Sequence, residues 1–334
     1  MTLPKRNRGA VLLMAMLTVT LVATFASAAM WQQWRGVEVE QAERARVQSG
    51  WILTGALDWA RLILTEDGKG AGRNADFLSE PWAVPLQEAK LSTFLAAEKG
   101  VTTVASDEDS LEAFLSGEIV DLQSKLNVRN LVAGGKISQP WQLSFTRLFE
   151  TLGLPPAQAV SLAENLRFAA DTSAENRSGP MAPLMPQRVD QLVWLGLAPE
   201  TVVALQPYVT LLSATTATPV NLNTANAEVI YASVDGLSMA DAQRLVAERD
   251  RQHFVSVSDA SKLVSSVAPS AFMSDHLSVG SAYFESRGRL RLDKITVEER
   301  SVIHRAGTPI TAKALLRERG VVDTAPPGIL LPAR

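Results

Sequence analysis

The most regular pattern in the chain is a short basic segment followed by a long apolar run. Lys5, Arg6 and Arg8 precede residues 10–30, which comprise only apolar residues, threonine and serine. A helix of this length reaches roughly 30 Å, the thickness of the hydrocarbon core of a bilayer. Because basic flanks stay on the cytoplasmic side, the pattern predicts one membrane span, with the remaining chain on the far side.

Three interpretations of this terminus remain open from the apolar run alone. A secretory signal peptide would be cleaved after the small-residue sequence Ala26-Ser27-Ala28. An uncleaved signal anchor has the same hydropathy. Gly9, between the basic residues and Ala10, instead resembles the cleavage site of type IV prepilin leaders.

The segment after the apolar run favours the third interpretation. Apolar residues continue at nearly helical spacing through Val47, Trp51 and Leu57 to about Leu64, with charged residues between them. A signal peptide is usually followed by an irregular segment, whereas a pilin-like subunit has one unbroken helix. The turn-rich segment 65–72 predicts where this helix ends.

Alternating apolar and polar residues predict strands in two separate parts of the chain. One lies around Ile119, and the other covers residues 277–304, with a turn predicted at Arg287-Gly288. The part between them, from Pro140 to about His276, has helical patterns. Strands that bracket a helical region predict an α+β fold, in which a large all-helical domain is inserted into an antiparallel sheet.

Composition excludes several classes of function. The chain of 334 residues has 32 basic and 35 acidic residues, and its formal charge of −3 does not suit a general nucleic-acid binder. Cysteine is absent, and the three histidines, at 253, 276 and 304, lack the spacing of a zinc site or a catalytic triad. We predict no catalytic residue, and we predict that the protein is not an enzyme.

The segment from Asn221 to Phe254 resembles a helix-hairpin-helix unit that begins Asn221-Leu222-Asn223-Thr224-Ala225. Thr224 is the predicted N-cap of its first helix, Gly236 the hairpin glycine, and Ser238 the N-cap of its second helix. Such units bind nucleic-acid phosphates through N–H groups at a helix start. Here Ser238 replaces a second hairpin glycine, and residues 221–264 contain six acidic and four basic residues, which favours a structural role.

Two further segments give the chain a more specific resemblance. One is Glu80-Pro81-Trp82-Ala83, and the other runs from Ile119 to Val132. The second matches the pattern Asp-x-Gln-x-x-x-Asn-x-Asn-x-Leu at Asp121, Gln123, Asn127 and Leu131, with Arg129 in place of the middle asparagine. With the leader glycine and the long helix, these segments resemble the general secretion pathway protein K family, the minor pseudopilins of type II secretion.

The resemblance implies a tip subunit of the secretion pseudopilus, which helps to initiate its assembly for export of folded proteins across the outer membrane. Pilin-like subunits carry a glutamate at the fifth mature residue; here that position is Met14 if Ala10 is the first. A buried carboxylate needs a partner charge, which a neighbouring subunit in a filament can supply. A subunit without this glutamate therefore suits the end of a filament.

The resemblance also implies a location and partners. The location is the bacterial inner membrane, crossed once, with a large periplasmic domain. The implied partners are other minor pseudopilins, the major pseudopilin, the inner-membrane secretion platform, the prepilin peptidase, exported substrates and the outer-membrane channel. The predicted domains are a leader (1–9), the membrane-spanning part of the helix (10–30), its periplasmic part (31–66), a pilin-like sheet domain (67–138 and 277–310), an inserted helical domain (139–276) and a loose tail (311–334).

Calcium is a candidate cofactor, because relatives have been described with bound calcium. Asp107, Asp109 and Asp121 are its candidate oxygen ligands, and a solvated acidic loop is the other interpretation of these residues. The alternative function is a membrane-anchored DNA receptor of the competence type, which would use the helix-hairpin-helix unit.

Overall fold

The computed structural model describes residues 8–70, 75–91, 113–171, 173, 181–273, 275–292 and 295–322. They belong to two compact units, residues 1–55 and 56–334. The first unit is helical throughout its described part. The second contains a sheet and several helices, so the α+β class predicted from the sequence is confirmed.

The long helix α1 runs from Arg8 to Gly68, as the apolar pattern predicts. Its end lies where the turn-rich segment begins, and two further turn bonds follow, from Lys69 N to Glu66 O and from Gly70 N to Asp67 O, each of 3.2 Å. Glycine is a poor helix former, and it favours termination at this point.

Five strands form an antiparallel sheet in the second unit. They are β1 (Leu86–Lys90), β2 (Ala113–Asp121), β9 (Tyr283–Leu292), β10 (Ile295–Ala306) and β11 (Thr311–Val322), in the order β1-β2-β9-β10-β11. One face of the sheet packs on the end of α1, where Leu57, Ala60 and Leu64 meet Phe284 and Ile303. Burial of these apolar side chains holds the helix end on the sheet.

The turn predicted at Arg287-Gly288 is wrong, because β9 passes straight through both residues. Gly288 pairs with Gly117 of β2 on one side and with Glu299 of β10 on the other. A Cβ atom on Gly117 would lie 2.9 Å from Arg287 O, which real Cβ atoms do not tolerate. Gly117 therefore permits close approach of the neighbouring strand, and Gly288 lies within a continuous strand rather than at a chain reversal.

The prediction of a loose tail from residue 311 is also wrong, since β11 extends to Val322 and pairs along β10. β11 carries several charged residues, among them Arg317, Glu318 and Arg319. An edge strand tolerates charged residues because half of it faces water. Arg317 and Arg319 also meet the buried carboxylate of Glu299 on β10. Residues 323–334 lie outside the described part of the chain.

The helices lie in sequence between β2 and β9. They are α2 (Gln139–Thr151), α3 (Pro156–Ala170), α4 (Pro199–Leu205), α5 (Ala227–Ser233), α6 (Met239–Arg251) and α7 (Val257–Lys262). Short strands accompany them: β3 (Leu126–Asn127), β4 (Val132–Ala133), β5 (Lys136–Ile137), β6 (Val209–Thr210), β7 (Val220–Asn221) and β8 (Leu277–Ser278). Trp141, Phe145, Leu148 and Phe149 give α2 a mainly apolar inner face at helical spacing, and this face anchors the helical core.

Candidate functional site

The first unit exposes an unusually apolar helical surface. Val11 is 71% exposed and Met30 72%, and the most apolar window of α1 has a mean hydropathy of 2.2 with none of it buried within the fold. Water disfavours such a surface, whereas a bilayer accommodates it. The helix is therefore consistent with a single-pass membrane anchor that carries a large soluble domain.

The predicted leader residues lie at the start of this helix. Gly9 and Ala10 are in the first turn of α1, and Met14 is 70% exposed one turn later. At the other end of the apolar run Trp31 and Trp34 are also exposed, with the guanidinium of Arg35 5.0 Å from the Trp31 ring centre. Tryptophan is enriched where a helix leaves a bilayer, so the run has the expected boundary.

A buried carboxylate lies at the end of β2, in the second unit. Asp121 is 3% exposed, and its Oδ1 accepts a hydrogen bond from Gln123 N at 2.7 Å. Its Oδ2 accepts bonds from the hydroxyls of Thr224 and Ser281, both at 2.6 Å, and from Asn221 Nδ2 at 3.1 Å. We call these five residues the buried junction, because they join the end of β2 to the helical region and to the segment before β9.

Asn221 links the buried junction to the surrounding backbone. Asp76 O at 3.1 Å and Ser281 Oγ at 3.0 Å also lie within hydrogen-bond distance of its Nδ2, whose two N–H groups are thus shared among three acceptors. Its Oδ1 accepts from Asn223 N at 2.9 Å. Asn223 in turn holds Phe254, whose N donates to Asn223 Oδ1 and whose O accepts from Asn223 Nδ2. The residues predicted as a helix-hairpin-helix signature are thus used inside the fold.

The Asp-x-Gln-x-x-x-Asn segment extends the same network. Gln123 Nε2 donates to Pro219 O at 2.9 Å, and Ala282 N donates to Gln123 Oε1 at 2.7 Å. Asn127 bonds with the backbone of Leu212 through both its amide oxygen and its amide nitrogen. Buried amides fixed at both ends specify one register between the sheet and the helices.

Burial raises the pKa of Asp121 from 3.8 to about 6, and the hydrogen bonds that it accepts lower the pKa by less. Between about pH 4 and 6 the folded protein therefore binds a proton that the unfolded chain has lost. The stabilisation from this proton is fully present below pH 4 and is lost as the pH rises through 6, a change of about 3 kcal/mol.

The wild-type free energy of unfolding, minus that of Asp121→Asn, is therefore expected to fall as the pH rises from 4 to 7 and to be constant above that. Urea unfolding at a series of pH values measures this difference. Burial also raises the pKa values of Asp76 and Glu80, but these groups are present in both proteins and leave the difference nearly unchanged. A difference that rises over this range would contradict the assignment.

The exposed hairpin of the helix-hairpin-helix unit is acidic. Gly236 has φ of 72°, as a hairpin glycine requires, and Ser238 caps α6 by accepting from Asp241 N at 3.1 Å. The predicted N-cap Thr224 is wrong: Asn226 caps α5, because Thr224 is turned inward to Asp121. The Asp235 side chain is 84% exposed beside the hairpin and pairs with Arg147 at 3.0 Å. Phosphate binding is opposed by the whole unit, in which six acidic residues face four basic ones.

The predicted calcium ligands are not brought together in the described residues. Asp107 and Asp109 lie outside the described part of the chain, so a calcium site at these positions stays a prediction. Both oxygens of Asp121 accept hydrogen bonds from neighbouring donors. A calcium ion would have to displace these donors to bind the carboxylate. The structure instead brings Asp67, Asp76 and Glu80 within 4.8 Å of one another.

Sequence reasoning missed Ser281 and Arg305. Ser281 gave no signal, since a serine before a strand is common. Arg305 Nη1 donates to Asp67 Oδ2 at 2.7 Å, across 238 positions of sequence, so no local pattern could indicate the pair.

Two models of known protein families match parts of the chain. Two family models, both described as type II secretion system (T2SS), protein K, match residues 124–214 and 220–280. These segments contain Asn127, Asn221, Asn223 and Thr224 of the polar network. No curated protein matches the chain.

A solved structure has the same fold. It is the crystal structure of the GspK-GspI-GspJ complex from the enterotoxigenic Escherichia coli type 2 secretion system, one chain of which matches with a TM-score of 0.64 and 19% identity. The match covers 84% of this chain and 98% of that chain. With both family models and the fold in agreement, this chain belongs to the protein K family of the type II secretion system and is a minor pseudopilin of that system.

Proposed function

We propose that this minor pseudopilin forms the tip of a periplasmic pseudopilus and helps to initiate its assembly for export of folded proteins across the outer membrane. The observation that carries the tip position is Met14, an exposed apolar residue where other pilin-like subunits have a glutamate. That glutamate pairs with the terminal ammonium of a neighbouring subunit. A tip subunit lacks this neighbour on one side, and an unpaired carboxylate in the bilayer would be costly.

Processing at Gly9 by a prepilin peptidase would start the mature chain at Ala10. The basic residues before Gly9 would keep the leader in the cytoplasm. The protein would then be anchored in the bacterial inner membrane, with its second unit in the periplasm. The exposed apolar helix of the first unit would pack against the corresponding helices of other subunits in the filament.

The proposed partners are other minor pseudopilins, and the complex that contains the related structure supports this class of partner. The major pseudopilin, the inner-membrane platform, exported substrates and the outer-membrane channel are further partners in the same proposal. Co-expression with the I- and J-type minor pseudopilins of the same bacterium tests it. We expect one complex containing all three on gel filtration in detergent; a chain that elutes alone would contradict the proposal.

Replacing Met14 with glutamate tests the tip position. We expect weaker recovery in complexes with the other minor pseudopilins and a lower rate of secretion, because up to about 3 kcal/mol is needed to place an unpaired carboxylate in the bilayer. Met14→Leu keeps the apolar surface and serves as the matched control. Full assembly and secretion by Met14→Glu would show that a partner ammonium is present, which is incompatible with the tip.

A further inference from the structure

Three carboxylates meet beside the end of α1. Asp67 belongs to α1, and Asp76 and Glu80 belong to the segment that leads to β1. The Asp67 and Asp76 side chains are 7% and 6% exposed. Clustered carboxylates of this kind are the ligands that calcium prefers, and the contacts of the cluster determine whether it fits a metal ion.

Arg305, at the end of β10, already supplies a cation to the cluster. Its Nη1 donates to Asp67 Oδ2 at 2.7 Å, and its Nη2 donates to Asp76 Oδ1 and, at 2.9 Å, to Ser281 O. The side chain is 9% exposed, and its Cζ lies 4.8 Å from the centre of the Phe284 ring. The guanidinium is thus fixed by charge at its edge and by an aromatic ring at its face.

Other carboxylate oxygens of the cluster also accept hydrogen bonds. Asp76 Oδ2 accepts from Ser281 N at 2.6 Å. Glu80 Oε2 accepts from Phe77 N at 3.0 Å and from the indole N–H of Trp82 at 2.8 Å. Calcium requires about six to eight oxygen ligands, and here a guanidinium of like charge already occupies Asp67 Oδ2 and Asp76 Oδ1. The cluster therefore does not fit calcium.

We propose that Arg305 is an internal cation that pairs with Asp67 and Asp76 and thereby takes the place of a metal ion at the cluster of Asp67, Asp76 and Glu80. The guanidinium joins three parts of the second unit: the end of α1, the segment before β1 and the end of β10. Because Asp67, Asp76 and Arg305 come from these three parts of the chain, their pairing fixes where the long helix ends against the sheet. Calcium binding at this cluster is excluded as long as Arg305 is present.

The test compares melting temperatures of the full-length protein in detergent, after chelation and with millimolar calcium. Calcium binding elsewhere would shift the wild type and Asp67→Asn equally, so we expect the two shifts to agree within about 1 °C. Arg305→Gln removes the cation that pairs with Asp67 and Asp76 and is expected to gain a calcium-dependent rise of several degrees in melting temperature. The double variant Arg305→Gln with Asp67→Asn should lose this gain, and Arg305→Lys, which keeps the charge, should not acquire it.

Two results would overturn the proposal. One is a calcium shift in the wild type that disappears in Asp67→Asn, since it would place calcium at the cluster with Arg305 present. The other is a folded Arg305→Gln protein with no new response to calcium. Should Arg305→Gln fail to fold under either condition, the comparison of wild type with Asp67→Asn still decides, because it does not depend on that variant.

Discussion

Replacing Asn221 with alanine is expected to lower the free energy of unfolding by about 3–5 kcal/mol, because several buried groups lose their partners at once. The variant removes the two N–H donors that Asp121 Oδ2, Asp76 O and Ser281 Oγ share, and it leaves Asn223 N without its acceptor. Asn221 is fully buried, so water cannot replace these bonds without opening the fold. Urea unfolding of the full-length protein in detergent measures the loss.

Asn226→Ala is the matched control for this prediction. Asn226 is five residues further along the same segment, and its side chain caps α5 by accepting from Val229 N at 3.0 Å. Loss of an N-cap costs about 1 kcal/mol. If the two alanine variants are equally stable, the buried junction does not hold the sheet and the helical region together as described.

Replacing Gly9 with valine is expected to block removal of the leader and to reduce secretion to the level of a strain without the protein. Glycine permits a close approach of the peptidase to the backbone that a β-branched side chain obstructs. An uncleaved leader would keep its three basic residues and its unprocessed terminus at the position where subunits join. Secretion of a known exported protein, measured in the complemented deletion strain, gives the result.

Gly36→Val is the control for Gly9. Gly36 lies in the same helix, and a Cβ atom added there would meet no atom within 4 Å. The variant therefore makes the same substitution without a steric clash in the fold. It should be processed and should support secretion. Normal secretion by Gly9→Val would mean that processing occurs elsewhere or is not needed.

The elements that the sequence predicted best were those with long, uniform patterns. The apolar run and the helical spacing after it predicted α1 nearly to its end, and the alternation around Ile119 predicted β2. The turn at Arg287-Gly288 was misassigned because a glycine in the middle of a strand and a glycine in a turn give the same local signal. Only the pairing of Gly288 with Gly117 distinguishes them, and that pairing depends on residues far apart in sequence.

The polar site was predictable in part, for a related reason. Asp121 and the asparagines at 221 and 223 were recognised as motif residues, but the sequence assigned the first to a candidate metal site and the others to a hairpin. Their actual partners are one another, and Asn221 and Asp121 are 100 positions apart. Arg305 carried no motif at all. Residue type indicated which positions carry polar contacts, whereas the pairing required the fold.

The measurement that tests the central claim most directly is the N-terminal sequence and intact mass of the mature protein from its native membrane. A pseudopilin processed at Gly9 predicts a chain that begins at Ala10. A chain that begins at Ala29 would indicate an ordinary secreted protein, and an intact Met1 would indicate a plain membrane anchor. Either of these results would contradict assembly through a processed pilin-like helix.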